Sequence, residues 1–295
     1  MRVLNFGSLN IDYVYWLDHI VAPGETITSS RLEVYPGGKG LNQSIALAKA
    51  GVKVYHAGLV GPDGETLRDI CLEYGVDISY IKTVEERTGN AIIQVSRDGG
   101  NSIVLFSGAN RKISREFVEE VLSSFGEGDL ILLQNEINQL EYIMECAYQK
   151  RMTIALNPSP FDERMLDCDL GKVDIFLLNE IEGAQLAGIK KAEPHDLLEN
   201  LHQRFPKARI VLTLGEKGVA YRDQYTSCSH GVYRVPVVDT TAAGDTFTGF
   251  FISALLQKRS AEEALEIASK ASAIAISRPG AATSIPDMEE VRSLL

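Results

Sequence analysis

The sequence predicts an α/β fold: a doubly wound, mostly parallel sheet flanked by helices, with a small projecting β-sheet. Three observations predict it. Short runs rich in Val, Ile and Leu recur along most of the 295 residues, as expected of strands buried on both faces of a parallel sheet. Segments of helical period separate these runs. Two stretches in the first half, 13–35 and 88–106, break the alternation and read as short strands between turn residues.

The elements follow in order. A first strand is expected at Val3–Gly7. The helix Leu41–Ala50 places Leu41, Ile45 and Ala48 on one face, and a strand at Val52–Val60 follows. The run NAIIQVS, then RDGG, then NSIVLF predicts a hairpin with Asp98, Gly99 and Gly100 in its turn. Further strands are expected at Asp129–Leu133, Met152–Leu156, Val173–Leu178 and Arg209–Leu214. The helix Gln139–Lys150 opens on a capping-box pattern, Asn138 followed by Glu141. A helix over Thr246–Gln257 gathers Phe247, Phe250, Phe251, Ala254 and Leu255, and one over Ala261–Ile276 stops before Pro279 and Gly280. The two irregular stretches combine into one small sheet acting as a lid, within a single domain spanning 1–295.

Composition narrows the function. There are 29 Lys and Arg against 40 Asp and Glu, a formal net charge of −11. Nucleic-acid and anionic-membrane binders show a basic surplus, so both partners are disfavoured, while one locally positive site for a small polyanion is not. Cys71, Cys146, Cys168 and Cys228 are far apart and form no CxxC pair, which predicts reduced thiols. His19, His56, His195, His202 and His230 show no metal-ligand spacing. The N-terminus runs directly into the first strand, without a leader, and the longest apolar runs are far short of the ~20 residues of a membrane span. A cytoplasmic protein is expected.

The strongest local signal is DTTAAGDTFTG, Asp239 to Gly249. Small residues Ala242, Ala243 and Gly244 stand directly before an amphipathic helix. Such a turn brings backbone N–H groups together where the helix end already favours an anion, and places Asp245 in the first turn. A bare Gly-Asp is an ordinary helix start; the same pair behind Ala-Ala, flanked by Asp239 and Thr241, is more specific. A second signal, PGGKGLNQS from Pro36 to Ser44, also opens a helix, and its Asn42 offers both a donor and an acceptor to a polyol. Familiar alternatives fail on spacing. The sequence has no GxxxxGK[ST], no GxSxG and no third glycine for GxGxxG, which disfavours a dinucleotide oxidoreductase.

GGKGLNQSIALAKAG, GLVG and DTTAAGD resemble the signature regions of the ribokinase-like (PfkB) sugar kinases. GSLNID, LLQNE, ALNPSP, NEIE, TLGEKG and SRPGAATSIP fall in that family's order, so the resemblance extends nearly end to end and is strongest toward its ribose-phosphorylating branch. Phe250 departs from it, standing where the second signature usually has Ala or Gly.

The resemblance implies transfer of the γ-phosphoryl group of ATP to the primary hydroxyl of D-ribose. Asp245 is then the general base, and the N–H groups of Ala242, Ala243 and Gly244 the anion hole. Asn10, Asp12, Gly38, Lys39, Asn42 and Glu136 would hold the sugar, with Lys39 also lending positive potential near the phosphates. Asn179, Thr213, Gly215 and Gly218 would line the nucleotide site. Glu182 would order Mg²⁺ through its water shell, and a K⁺ ion would take oxygens from Asp239, Thr241, Ala275, Arg278, Gly280 and Ser284. A homodimer through the lid is expected. Deoxyribose, a nucleoside, pseudouridine or a hexose are the alternative acceptors, and a non-catalytic sugar- or nucleotide-binding protein the rival outside enzymes.

Overall fold

The computed structural model describes residues 1–189 and 193–293. The chain runs β1 (Val3–Phe6), β2 (Asn10–Leu17), β3 (Arg31–Gly37), α1 (Lys39–Lys49), β4 (Val54–Val60), α2 (Glu65–Glu73), β5 (Asp77–Thr83), β6 (Gly89–Ser96) and β7 (Asn101–Phe106). It continues with α3 (Arg115–Ser123), β8 (Leu130–Gln134), α4 (Leu140–Gln149), β9 (Thr153–Asn157), β10 (Ile175–Asn179), α5 (Glu180–Ala187), α6 (Pro194–Arg204) and β11 (Arg209–Thr213). The last elements are β12 (Val219–Arg222), β13 (Ser227–His230), α7 (Ala243–Leu256), α8 (Ala261–Ile276) and α9 (Met288–Ser293).

The main sheet has the order β13-β12-β11-β10-β9-β8-β1-β4-β5. It is parallel from β11 to β5; only β12 and β13 run antiparallel, at one edge. Its strands alternate between two cores, as a period of two requires. Leu4, Phe6, Ile131 and Leu133 pack with residues of α3, α4 and α6. Val3, Leu130 and Leu132 pack on the opposite side with α1, α7 and α8. Phe250, the departure from the family signature, is fully buried in this second core.

Strand order reverses at β1, which pairs with β4 on one side and β8 on the other. The crevice at the carboxyl end of such a reversal is where open α/β sheets place ligands. The second sheet, β3-β2-β6-β7, leaves the core there. Its hairpin closes as expected, with the Ser96 N–H donating to the Gly100 carbonyl at 2.9 Å and Gly99 at φ 85°.

Several boundaries differ from the sequence reading. α7 begins at Ala243 rather than Thr246, with Asp245 in its first turn as expected. Asn138 does not cap α4; its amide bonds the Ile113 N–H at 3.0 Å and the Ile113 carbonyl at 2.8 Å, and Gln139 at φ 62° precedes the helix instead. The antiparallel pair β12–β13 was not anticipated. All four cysteines are free thiols. Among the described residues no helix is long and apolar enough to cross a membrane.

Candidate active site

The site is assembled where α1 starts beside the end of β1. The Leu41 N–H donates to the Ser8 carbonyl at 2.9 Å, and the Gly40 N–H to the Ser8 hydroxyl at 3.2 Å. A β-carbon on Gly40 would stand 2.4 Å from the Ser8 nitrogen, so only glycine allows this approach. The Ser8 hydroxyl donates to the Glu136 carboxylate, which also accepts from the Lys39 N–H at 3.1 Å. Three chain segments distant in sequence therefore meet at one carboxylate.

α7 arrives with an unusual start. Ala242 precedes it at φ 59°, ψ 9°, a left-handed conformation that costs an alanine energy, and no side chain caps the helix. The Ala243 N–H reaches the Thr240 carbonyl at 3.3 Å. The opening N–H groups of a helix have no partners within it, and here no side chain supplies one. A β-carbon on Gly244 would meet nothing within 4 Å. Asp245 is 6% exposed. Its two oxygens accept separately, Oδ2 from Asn42 Nδ2 at 3.0 Å and Oδ1 from Gln43 Nε2 at 2.8 Å.

A cavity of about 490 Å³ opens on this corner. Lys39, Asn179, Glu182, Thr213, Gly215, Ala242, Ala243, Gly244 and Asp245 all line it, together with Asn157 and Ser159. Gly218 does not; it is pressed against β13, where a β-carbon would stand 2.1 Å from the His230 carbonyl oxygen. Asn179 and Glu182 form a reciprocal capping box at the start of α5, with bonds of 2.8 and 3.0 Å, and Glu182 is buried. Burial opposes the charge of Lys39, but Asp245, Glu136 and Glu182 together outweigh it and hold the ammonium above its ordinary pKa.

Asn10, Asp12, Gly38 and Asn42 sit at the foot of the small sheet, next to this corner. The buried Asn110 ties them to the core: its Nδ2 donates to Asn10 Oδ1 at 2.8 Å and its Oδ1 accepts from the Leu9 N–H at 3.0 Å. Gly38 lies behind Asn10, and the Asp12 carboxylate lies against Gly37. Burial, then Glu136 and Asp245, push the Asp12 carboxyl up to about 7. Glu136 is raised by burial, opposed by Lys39 and the Ser8 bond. Asn42 Oδ1 is buried and has no hydrogen-bond partner among the described residues.

A second cluster lies beside the turn before α7. Asp239 Oδ1 accepts from the Thr241 N–H and hydroxyl at 2.8 and 2.6 Å, and Oδ2 from the Gly280 N–H at 3.0 Å. The Val238 and Asp239 N–H groups donate to the Ile276 carbonyl, clasping the two loops together. Ser284 is fully buried, and the Ala275 carbonyl accepts from the Arg278 N–H at 3.2 Å.

Sequence reasoning passed over Ser8, Gln43, Gln134, Asn110 and Asn157. Gln43 was within reach, being the residue after Asn42 in a glycine-rich helix start. The others are single polar residues whose partners lie far away in the chain.

The chain matches known proteins over nearly its whole length. The pfkB family carbohydrate kinase profile matches residues 2–288. The ribokinase of Haemophilus influenzae is 35% identical, with 98% of this chain and 96% of that protein covered. A crystal structure of ribokinase from Cryptococcus neoformans var. grubii in complex with ADP superposes with a TM-score of 0.89 at 32% identity, covering 100% of this chain and 99% of that one. The Arabidopsis thaliana ribokinase complexed with ribose and ATP superposes at 0.87 with 29% identity, covering 99% and 98%. From the signature turns to the whole-chain match, the protein belongs to the pfkB family of carbohydrate kinases.

Proposed function

We propose that the protein is an ATP-dependent kinase that phosphorylates the primary hydroxyl of D-ribose, yielding ribose 5-phosphate and ADP. The observation behind this reading is the shared cavity: an uncapped helix start, the Asp245 carboxylate and the Lys39 ammonium all face one space. Asp245 accepts the proton of the attacking hydroxyl as transfer advances. The attacking oxygen bonds to the γ-phosphorus and the bond to the ADP oxygen breaks. The transition state is loose, so alignment matters more than base strength. The N–H groups of Ala242, Ala243 and Gly244 are assigned to the charge on the migrating group. Preorganised donors of this kind are worth roughly 10²–10³ in rate each.

Asn10, Asp12, Gly38, Asn42 and Glu136 are assigned to the sugar. The unpartnered Asn42 oxygen and two carboxylates suit a molecule whose perimeter is hydroxyl donors. Asn179, Thr213 and Gly215 are assigned to the nucleotide; Gly218 is assigned to holding the adjoining turn against β13.

Mg²⁺ fits the donor set at Glu182. Among the described residues no cluster of three acidic, His or Cys ligands exists, and Mg²⁺ characteristically uses one carboxylate, water and substrate phosphates. When bound it would neutralise phosphate charge. A K⁺ site between the Asp239–Thr241 and Ala275–Ser284 loops fits on chemistry, because its donors are all oxygens: Asp239, Thr241, Ala275, Arg278, Gly280 and Ser284. When bound, the ion would reinforce the clasp that places the Ala242 turn. The small sheet is read as the lid over the sugar, excluding water. Its exposed apolar side chains, including Leu32, Val34, Ile103, Val104 and Phe106, are read as the surface of a homodimer.

The test is ADP release over a panel of ribose, deoxyribose, hexoses and nucleosides, in K⁺ and in Na⁺. Ribose giving the highest kcat/KM supports the reading; a nucleoside or hexose outrunning it by tenfold replaces it.

A further inference from the structure

We infer that Gln43 is a positioning residue for Asp245, its amide polarity dictated by two chains of hydrogen-bonded amides, one wholly buried and one at the cavity wall, that each end on a backbone carbonyl. This rests on the reading of Asp245 as the base. The first chain begins at the Gly40 carbonyl, which can only accept. Asn5 Nδ2 donates to it at 2.7 Å and to the Ser44 hydroxyl at 2.8 Å, so Asn5 Oδ1 must point the other way. That oxygen accepts from Gln134 Nε2 at 2.9 Å, and the same nitrogen gives its second hydrogen to Gln43 Oε1 at 2.6 Å. The Gln43 nitrogen is thereby turned toward Asp245. The second chain begins at the Leu177 carbonyl, which accepts from Asn157 Nδ2 at 2.9 Å. Asn157 Oδ1 is left as an acceptor for Gln43 Nε2 at 3.0 Å. Both chains impose one orientation on one amide.

Burial makes that orientation rigid. Asn5 and Gln43 are wholly inaccessible and Gln134 is 1% exposed. Flipping the Gln43 amide would break its bonds to Gln134 and Asn157 and set its oxygen against a carboxylate, in a side chain wholly closed to solvent. Gln134 bears a cost for this arrangement: its own Oε1 is buried without a partner. Its orientation therefore serves its neighbours rather than its own bonding. The outcome is that Oδ1 of Asp245 is held from inside the core and the carboxylate is kept from rotating. An in-line transfer needs the acceptor oxygen within hydrogen-bond reach of a moving hydroxyl, and small displacements there are costly in rate.

The measurement is a steady-state comparison of Gln43→Met, Gln134→Met and Asp245→Asn with the wild type, alongside thermal melting and calorimetric binding of ribose. Met matches Gln in length but donates nothing. Gln43→Met is expected to lose about tenfold or more in kcat, and Gln134→Met, which leaves the Asn157 chain intact, about threefold. Ribose KM and ribose affinity should stay within about twofold in both. A network serving stability alone would lower the melting temperature and leave kcat unchanged; that result with Asp245→Asn inactive overturns the inference. If Gln43→Met does not fold, the kcat-to-KM split in Gln134→Met decides. An active Asp245→Asn would instead remove the reading of the base itself.

Discussion

Gly249 of α7 packs on Ala46 of α1 so closely that a β-carbon at 249 would stand 2.4 Å from the Ala46 methyl carbon. The contact lies one turn along from Asp245 on α7 and one turn along from Asn42 and Gln43 on α1. It sets the separation at which those amides reach the carboxylate. The backbone of Ala46 and Leu47 lies at 2.8 Å from the same point, so relief requires a helix to move.

Gly249→Val should therefore act on both stability and rate. We expect a loss of about 1–3 kcal/mol, the usual scale of overpacking, with kcat reduced further than the fraction of folded protein explains. Denaturant melts paired with kinetics normalised to folded enzyme check this; a stability loss with full normalised kcat would separate the helix contact from the site.

Asp245→Asn keeps the size of the side chain and removes its basicity. Turnover should fall by roughly 10²–10⁴ while ribose still binds. Single-turnover phosphoryl transfer and equilibrium binding of ribose measure the two halves separately. Wild-type turnover in this variant would take Asp245 out of the chemistry.

Asp12 supplies a pH-dependent prediction. Its carboxyl titrates at about 7 in the folded protein, raised chiefly by burial. Sugar hydroxyls donate to the ionised form, so ribose affinity should weaken as pH drops below 7, by up to about tenfold per unit. Stability runs the opposite way. The folded state holds this proton more tightly than the unfolded chain, so the group favours folding below pH 4 and that contribution is lost as pH rises through 7. Asp12→Asn should accordingly melt about 2–6 °C higher than wild type at pH 8, with the gain shrinking toward pH 5, while its ribose affinity collapses. A variant that melts no higher at pH 8 would contradict the burial argument.

The proposed dimer and cation sites each have a direct readout. Val104 is 61% exposed on β7, an edge strand, amid other apolar residues. Val104→Glu should shift sedimentation from dimer to monomer; a wild-type monomer would dispose of that interface.

For the cation, Asp239→Ala should abolish any difference in kcat between K⁺ and Na⁺ buffers, because it removes a carboxylate assigned to the ion and frees the Gly280 N–H. A K⁺ effect surviving that change would place the ion elsewhere.

The parts legible in the sequence were those written in consecutive residues. Ala242 to Asp245 and Gly38 to Asn42 each combine a backbone peculiarity with the chemistry beside it. The parallel strands were legible because burial on both faces leaves near-continuous apolar runs, as in LILLQ of β8. β13, SCSH, was not, because an edge strand of four polar or small residues has no such pattern. Asn138 misled because a capping residue is recognised by its spacing, and its amide bonded across the chain to Ile113 instead. Gln134 and Asn5 were invisible for a related reason: each is one polar residue in an apolar strand, meaningful only once the sheet brings them side by side.

The reversal of strand order at β1 has a consequence for how such a protein can diversify. Every group assigned to the sugar except Asp245 precedes residue 140, and every group assigned to the nucleotide follows residue 150. The two halves meet where α1 packs on α7 and where β8 pairs with β9. On those assignments, changes confined to the first half would alter acceptor preference and leave the groups assigned to the donor in place.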